Sequence, residues 1–403
     1  MLTLYNSLSR KKEKFTTINK HEVKMYICGI TPYDTTHLGH AFTYISFDAL
    51  IKYLKFIGLD VSYTQNVTDI NDRDNDILKR AQEQKVTWQN LSAFWTKKFL
   101  TDMKNLNWNM PTNYLYASEN IKPMIKIVQR LLENGIAYQV GGSVYLDVSK
   151  DKDFGKLSKF SKEKMLKIAN DFEEDTTNPD KKHQLDITLW RESDPNQSKH
   201  IPSFKSPFGL GRPGWHLECS AMSISSLGEQ IDIHGGGIDL IYPHHEAEIA
   251  QSEEATKKIP FAKFWVHAGI VAYKGMKMSK SDNNLVMISD LLKKYSSNSI
   301  RYVLLSHHYR NGWEFFEKDL KTAEEEFKKI TQQVSRNKSK SIDFKRKEIV
   351  EFRNIMDMDL NTPKALRLAS SLALNIKSEK NLKNKENLSQ SLRTILSVLG
   401  FVL

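Results

Sequence analysis

Residues 26–44 read Tyr-Ile-Cys-Gly-Ile-Thr-Pro-Tyr-Asp-Thr-Thr-His-Leu-Gly-His-Ala-Phe-Thr-Tyr, and the predicted architecture is built outward from them. The apolar residues 23–27 predict a strand, and the proline-containing residues 31–36 predict a loop. From His37 onward apolar residues recur at spacings of three and four, which predicts a helix. A strand that leads through a turn into a helix is typical of nucleotide-binding α/β folds, where phosphate lies at the helix N-terminus.

Two histidines and a distant lysine-rich motif point to phosphate binding. His37 and His40 lie one turn apart at the end of the helix where the dipole favours anions. Two solvated surface histidines would give the same pattern. About 240 residues later, residues 277–281 read Lys-Met-Ser-Lys-Ser beside another strand-like segment. A lysine-serine run alone is usually a solvated loop, but the two motifs in this order favour a phosphate site.

Both motifs resemble the signatures of class I aminoacyl-tRNA synthetases. The resemblance implies an α/β fold in which a Rossmann-like catalytic domain carries an insertion and is followed by a C-terminal helical domain. It implies catalytic roles for four residues, which are His37, His40, Lys277 and Lys280. The triphosphate of Mg²⁺-bound ATP gains negative charge as pyrophosphate leaves. Cationic donors placed in advance therefore stabilise the transition state more than the ground state.

Composition restricts the possible classes of protein. A chain of 403 residues suits two or three domains with a sizeable core. It contains no apolar run that could span a bilayer and no apolar core of a signal peptide, so we expect a cytoplasmic protein without membrane partners. The net charge of +11 would suit tRNA, although a lysine-rich composition produces it by default. Cys28 and Cys219 are too few for a disulfide framework, and both lie inside motifs.

The pattern along the chain divides into four parts. In chain order we predict the first half of the catalytic domain (1–104), an inserted connective subdomain (105–205), the second half with the lysine-serine motif (206–316) and a helical domain (317–403) without a further anticodon-binding domain. A plain surface excursion would also explain the inserted part. Residues 76–104 predict one long helix with its aromatic residues in the core. We expect a monomer.

The second half contains two histidine-rich segments. Residues 232–240 read Asp-Ile-His-Gly-Gly-Gly-Ile-Asp-Leu, a strand that breaks into glycines and so lets backbone approach an adenine or ribose. Residues 243–248 open another helix, on which His244 and Glu248 share a face. In the first half, the acidic residues 66–74 predict a loop that lines a ligand cleft. A calcium loop is excluded because the glycine and terminal glutamate of an EF-hand are missing.

Four dispersed residues form a candidate zinc site. Cys28, Cys219, His244 and Glu248 supply two thiolates, one imidazole and one carboxylate, a donor set that zinc accepts. A histidine in a His-His-Glu run is more often structural, but both cysteines of the chain lie beside other motifs of the site. Four protein ligands ordinarily mark a closed structural site. A substrate thiolate could join by expanding the coordination or by displacing Glu248.

Residues 28–29, 211–222, 234–248 and 277–281 together resemble the cysteinyl-tRNA synthetase superfamily across nearly the whole chain. In that superfamily zinc binds the sulfur of the substrate, so the resemblance implies one Zn²⁺ per chain and activation of L-cysteine by Mg-ATP. It also implies that ATP and the adenylate contact Cys28, Gly29, Ile30, Thr31, Thr43, Asn66, Val67, Thr68, Trp215, Gly237, Ile238, Asp239, His244 and Ile270.

Two branches of this superfamily differ in the acceptor. One charges tRNA, and the other, the cysteine ligase of mycothiol biosynthesis, joins cysteine to the amine of glucosaminyl-inositol. Residues 29–40, residues 154–190 and a chain that stops soon after the helical signature at 357–366 resemble the amino-sugar ligase. Glu248, the departure from the ligase pattern at residues 173–176 and the basic charge favour tRNA instead.

We predict the amino-sugar ligase, with a truncated cysteinyl-tRNA synthetase as the alternative. A third hypothesis is a non-catalytic paralogue that binds cysteine or nucleotide as a regulator. The intact histidines and lysines of the two signature motifs argue against it.

Overall fold

The computed structural model describes residues 1–278, 284–334 and 342–403. The strands are β1 (Thr3–Asn6), β2 (Lys11–Lys14), β3 (Glu22–Ile30), β4 (Asp60–Val67), β5 (Asn113–Tyr116), β6 (Ala137–Val140), β7 (Ser143–Leu146), β8 (Ile187–Glu192), β9 (Phe204–Ser206), β10 (Gly209–Pro213), β11 (Ile231–Gly237), β12 (Ala262–Ala268), β13 (Val271–Tyr273), β14 (Met276–Lys277) and β15 (Trp313–Glu314). The α-helices are α1 (Leu38–Phe56), α2 (Ile77–Glu83), α3 (Trp88–Asn105), α4 (Ile121–Glu133), α5 (Lys162–Asp171), α6 (Trp215–Leu227), α7 (His244–Thr256), α8 (Ile288–Leu291), α9 (Ser297–Leu305), α10 (Glu317–Thr331), α11 (Lys347–Met356), α12 (Thr362–Ser378) and α13 (Leu382–Val398). Short 3₁₀ turns occupy Ala117–Glu119, Val148–Lys150 and Ile238–Ile241.

A parallel sheet in the order β12-β11-β3-β4-β5 forms the centre of the molecule. The first predicted strand is β3, its middle strand, which pairs with β11 on one side and β4 on the other. The strand order therefore reverses at β3. In open parallel sheets, ligands bind beyond the carboxyl ends of the strands at such a switch point. Cys28 lies near the end of β3 and the three glycines end β11, so both predicted motifs meet there.

Helix α1 is buried along most of its length, because its sequence is apolar on nearly every side. It also carries the buried Asp48, which forms an ion pair with Arg301 of α9. Arg301 donates further hydrogen bonds to the carbonyls of Leu399 at 2.7 Å and Leu106 at 2.8 Å. A buried charge requires such partners. This arginine consequently joins α9 to α1 and to Leu399, which directly follows α13.

A second sheet, antiparallel and in the order β6-β7-β8-β10-β9, lies in the predicted insertion. Its strand β10 lies wholly beyond residue 205, whereas β5, which follows residue 104, pairs with β4 in the central sheet. The strands of the second sheet therefore do not coincide with the predicted segment 105–205. The sequence of a short strand carries little information about which strand it pairs with. The limits of the inserted subdomain stay a prediction.

The prediction of one helix over residues 76–104 was wrong. The chain breaks between α2 and α3, where Lys85 has a positive φ of 54°. Thr87 then caps α3, its hydroxyl accepting from the backbone N–H of Asn90 at 3.2 Å. Of the aromatic residues predicted to lie in the core, Phe99 is fully buried but Phe94 is 62% exposed.

The C-terminal helices α10 to α13 pack on the catalytic domain, and their apolar residues belong to the same core cluster as α1 and β3. A C-terminal helical region follows the sheet, as predicted. Within residues 1–278, 284–334 and 342–403, no helix is both long and apolar enough to cross a membrane.

Candidate active site

A cavity of about 400 Å³ lies at the switch point of the central sheet, within the ~300–1,000 Å³ usual for small-molecule sites. Its walls come from the ends of β3, β4 and β11, from the start of α1 and from the segment around β13. The predicted site residues that line it are Cys28, Gly29, Ile30, Thr31, His37, His40, Thr43, Asn66, Thr68, Trp215, Cys219, Gly237, Asp239, His244, Ile270 and Lys277. The fold therefore brings both signature motifs to one space.

Three predicted residues that the structure describes do not line this cavity. Val67 is buried in β4 on the face opposite to its neighbours, because side chains alternate along a strand. Ile238 is 41% exposed on a 3₁₀ turn. Glu248 belongs to the buried donor cluster at the cavity floor. Lys280 lies outside the described residues.

Backbone pairing explains how motifs so far apart in the chain meet. The N–H of Leu38 donates to the carbonyl of Val286 at 2.8 Å, and the N–H of Ile288 donates to the carbonyl of Thr36 at 2.9 Å. The segment that follows the lysine-serine motif is thus fixed against the first turn of α1. This contact was not predicted, since nothing local in either segment indicates its partner.

His37 and His40 are stacked at the start of α1, with ring centroids 3.6 Å apart. The Nδ1 of His37 accepts from the backbone N–H of His40 at 3.3 Å and so caps the helix. Burial lowers the pKa of both rings, and with the nearby charge of Lys277 it lowers that of His37 to about 4. Both imidazoles are therefore neutral near pH 7. They can donate hydrogen bonds to phosphate, but the charge must come from the lysines.

Gly29 allows β3 and β4 to come together at the cavity. A Cβ at this position would lie 1.6 Å from the carbonyl oxygen of Asn66. The N–H of Gly29 donates to the side-chain oxygen of Asn66 at 2.7 Å, and the amide nitrogen of Asn66 donates to the hydroxyl of Thr68 at 3.2 Å. These bonds orient the polar end of β4 toward the cavity.

The four predicted zinc donors converge at the cavity floor. The donor atoms of Cys28, Cys219, His244 and Glu248 all lie within 4.8 Å of one another, and all four residues are buried. His244 Nε2 is 3.4 Å from Cys219 Sγ and 3.2 Å from Glu248 Oε1, and Cys28 Sγ is 3.4 Å from the same oxygen. Zinc with bonds of about 2.0–2.3 Å places tetrahedral donors about 3.3–3.8 Å apart. The geometry fits the predicted ion.

Electrostatics give a second test of this fit. Burial raises the pKa of the Cys28 and Cys219 thiols and of the Glu248 carboxyl, and lowers the pKa of His244. Without a cation these donors favour their uncharged forms. A bound dication would reverse that preference and convert the thiols and the carboxyl into anionic ligands. The cluster therefore has the chemistry of a metal site whose ligands become anionic when the metal binds.

Sequence reasoning missed three histidines around this cluster. His234 Nε2 is 2.8 Å from Glu248 Oε2, and His245 Nε2 is 3.3 Å from Cys28 Sγ. His245 is held in turn by His267, Nδ1 to Nε2 at 2.8 Å. Cys28, His234, His245 and Glu248 form a second close donor set. The adjacent histidines of residues 243–248 were a usable signal, whereas His267 carries none in its local sequence.

Comparison with known proteins shows the general class of protein to which this chain belongs. The family described as tRNA synthetases class I (C) catalytic domain matches residues 14–325. Among solved structures, Mycobacterium tuberculosis methionyl-tRNA synthetase in complex with methionyl-adenylate is similar with a TM-score of 0.63 and 14% identity, covering 94% of this chain and 89% of that chain. A match at this low sequence identity supports similarity of the fold alone. Family match and fold together define a class I tRNA synthetase catalytic domain.

Relatives with higher sequence identity show the family within this class. The cysteine–tRNA ligase of Legionella pneumophila (strain Corby) is 41% identical, with 100% of this chain and 85% of that protein covered. The cysteine–tRNA ligase of Wigglesworthia glossinidia brevipalpis is 39% identical, with coverage of 100% and 86%. The chain belongs to the cysteine–tRNA ligase family.

Proposed function

We propose that this protein is an ATP-dependent ligase that activates L-cysteine as cysteinyl-adenylate and transfers the cysteinyl group to tRNA. One observation carries the proposal. The thiolate donors Cys28 and Cys219 open into the same cavity as His37 and Lys277. A site for a thiol and a site for a triphosphate therefore share one space. We further propose a monomeric, cytoplasmic enzyme.

Cys28, Cys219, His244 and Glu248 would hold one zinc ion. A bound zinc ion would supply a bond to the substrate thiolate, which serine and alanine cannot offer, so selection would need no editing site. The protein's part is to present soft donors from β3 and α6 and harder donors from α7 at the cavity floor. Glu248 Oε2 also lies 2.8 Å from His234 Nε2, so the carboxylate would have a second partner if the substrate sulfur displaced it.

In the first step the carboxylate of cysteine attacks the α-phosphorus of Mg-ATP, and the bond to pyrophosphate breaks. His37 and His40 donate N–H groups to the phosphates, and Lys277 supplies positive charge as pyrophosphate departs. We propose the same role for Lys280. The adenylate would lie against Gly29, Thr31, Thr43, Asn66, Thr68, Trp215, Gly237, Asp239 and Ile270. In the second step a ribose hydroxyl at the end of tRNA attacks the activated carbonyl and releases AMP.

Two observations favour tRNA over the amino sugar as acceptor. The relatives at 41% and 39% identity carry the name cysteine–tRNA ligase. Glu248, the carboxylate that the amino-sugar branch generally lacks, is part of the donor cluster. The comparisons thus do not support the preference for glucosaminyl-inositol that the loop resemblances suggested. They favour the alternative.

Cysteine-dependent exchange of labelled pyrophosphate into ATP tests the first step. We expect exchange with cysteine and none with serine or alanine, because neither forms a metal–thiolate bond. Equal exchange with serine would refute selection by the metal site. Absence of exchange with all three amino acids would refute a ligase and favour the non-catalytic binding protein.

A further inference from the structure

One carboxylate of the inserted segment reaches toward the metal cluster. Glu174 follows α5 in the loop of residues 173–176, and its Oε1 lies 3.1 Å from Nε2 of His216. The side chains of Glu174 and His216 are only 17% and 3% exposed. His216 lies in the first turn of α6, one turn before Cys219. The contact therefore joins the insertion to the helix that supplies a metal donor.

His216 continues this chain of contacts to a second metal donor. Its Nδ1 lies 2.8 Å from Nδ1 of His244. The other nitrogen of His244, Nε2, faces Cys219 Sγ at 3.4 Å and Glu248 Oε1 at 3.2 Å. Glu174, His216 and His244 thus form a line that ends at the donor cluster.

Only one arrangement of protons satisfies all these contacts. A metal on His244 Nε2 needs the lone pair there, so the proton of this ring must lie on Nδ1. The Nδ1 of His216 must then accept that hydrogen bond, which leaves the proton of His216 on Nε2. An N–H at that position needs an acceptor. His216 Nε2 is buried and makes no hydrogen bond in the described part of the chain, and the carboxylate of Glu174, 3.1 Å away, is close enough to become that acceptor.

Neighbouring cations hold Glu174 in its charged form and in position. Burial alone would raise its pKa, but the contact with His216 and the charges of Arg73 and Lys181 outweigh burial and lower the pKa of Glu174. Arg73 forms an ion pair with Glu174, and its guanidinium stacks 3.9 Å from the ring centre of Trp215 at the cavity wall. Lys181 donates to the backbone carbonyl of Glu174 at 2.6 Å.

We propose that Glu174 is a positioning residue that sets the tautomer and orientation of His244 through His216. The inference rests on the proposed metal site, but it concerns a residue of the insertion that contacts neither metal nor substrate. Outer partners of this kind orient a ligating histidine and raise its basicity. The inserted segment is accordingly part of the metal centre as well as a surface feature.

The test compares Glu174→Ala and Glu174→Gln with a matched control, Glu173→Ala. Glu173 is the neighbouring carboxylate, exposed and 3.4 Å from Asn75. Competition with a chromogenic chelator gives the zinc dissociation constant, and the Co²⁺-loaded protein gives a ligand-field spectrum. We expect Glu174→Ala to weaken zinc binding by about 10- to 100-fold and to shift the Co²⁺ bands. Glu174→Gln keeps an acceptor for His216 and should lie nearer to wild type, and Glu173→Ala should match wild type.

Unchanged zinc affinity and an unchanged Co²⁺ spectrum in Glu174→Ala would overturn the proposal, provided that the metal-free variants melt at the wild-type temperature. If Glu174→Ala does not fold, the nitrogen chemical shifts of His216 in the unmodified protein decide. A proton on Nε2 supports the proposal and a proton on Nδ1 overturns it. Neither measurement involves tRNA. If both measurements support the role of Glu174 but the protein charges no tRNA, the proposed function is refuted and the inference about Glu174 is retained.

Discussion

Lys277 Nζ lies 2.7 Å from Asp239 Oδ2, an ion pair between β14 and the turn that follows β11. The side chains are 53% and 35% exposed, so the pair is solvated and adds little to stability. Its effect is positional. It holds a cation at the edge of the cavity, close enough to His37 to lower the pKa of that ring. A triphosphate that enters the cavity would meet a positive charge already in place.

Replacing this cation should slow adenylate formation without weakening cysteine binding. We expect Lys277→Ala to reduce the rate of pyrophosphate exchange by about 100-fold or more, because the lost charge matters most as pyrophosphate leaves. The KM for cysteine should stay near the wild-type value. Lys274→Ala is the matched control, since Lys274 lies in the same hairpin, is exposed and packs 5.3 Å from the Tyr273 ring. A loss confined to cysteine binding would contradict a role in catalysis.

The low pKa of His37 is directly measurable. A titration of the ring by NMR should show no change from neutral pH down to about pH 5 and a midpoint at about 4, below the usual 6.5. The folded protein binds this proton more weakly than the unfolded chain does. The contribution of His37 to the free energy of unfolding is thus fully present above pH 6.5 and is lost as the pH falls toward 4. Lys277→Ala should raise the pKa of His37, and a midpoint of 6.5 in the wild-type protein would show that the ring is solvated.

The metal donors should differ in importance. Cys219→Ser is expected to abolish zinc retention and cysteine-dependent exchange together, because an alcohol is a poor ligand at neutral pH. Glu248→Gln should retain zinc with reduced affinity, since three strong donors remain. Metal analysis after gel filtration measures both. Exchange at the wild-type rate in Cys219→Ser would remove the basis for the zinc assignment, and complete zinc loss in Glu248→Gln would mean that the carboxylate is indispensable.

The buried Asp48–Arg301 pair, which joins α1 to α9, should contribute more to stability than an exposed ion pair does. Both side chains are at most 1% exposed. Arg301→Ala breaks this buried pair and removes the donor to the carbonyls of Leu399 and Leu106, while Lys52 at 2.5 Å still faces Asp48. We expect a loss of about 3–5 kcal/mol in the free energy of unfolding, measured by urea denaturation. Arg130→Ala, which breaks the exposed pair with Glu229, should cost about 1 kcal/mol or less. Equal losses in the two variants would contradict the special weight of the buried pair.

The sequence predicted those features of the fold that depend on residues close together in the chain. Strand β3 and helix α1 follow from apolar spacing around His37, and the donor set around Cys28 followed from motif content and resemblance. The pairing of β3 with β11 and of Leu38 with Val286 joins residues about 200 or more positions apart. Such contacts depend on the whole fold. For the same reason the sequence shows the histidines that surround Glu248 but does not predict that they lie close to it.

The predicted amino-sugar acceptor has less support than tRNA for a related reason. The preference for an amino sugar relied in part on residues 29–40 and 154–190, which include a loop and an insertion. Loops vary more than the elements they connect, so short loop resemblances carry less weight than identity along the whole chain. The full-length similarity to cysteine–tRNA ligases outweighs them.

Transfer of cysteine from enzyme-bound adenylate separates the two acceptors. The enzyme is loaded with radiolabelled cysteine and ATP, freed of small molecules, and offered either total tRNA or glucosaminyl-inositol. We predict that label appears in an alkali-labile ester on one tRNA species and that the amino sugar stays unlabelled. The Lys277→Ala variant should give neither product. Label in an amide of glucosaminyl-inositol, with tRNA unlabelled, would contradict the proposed function.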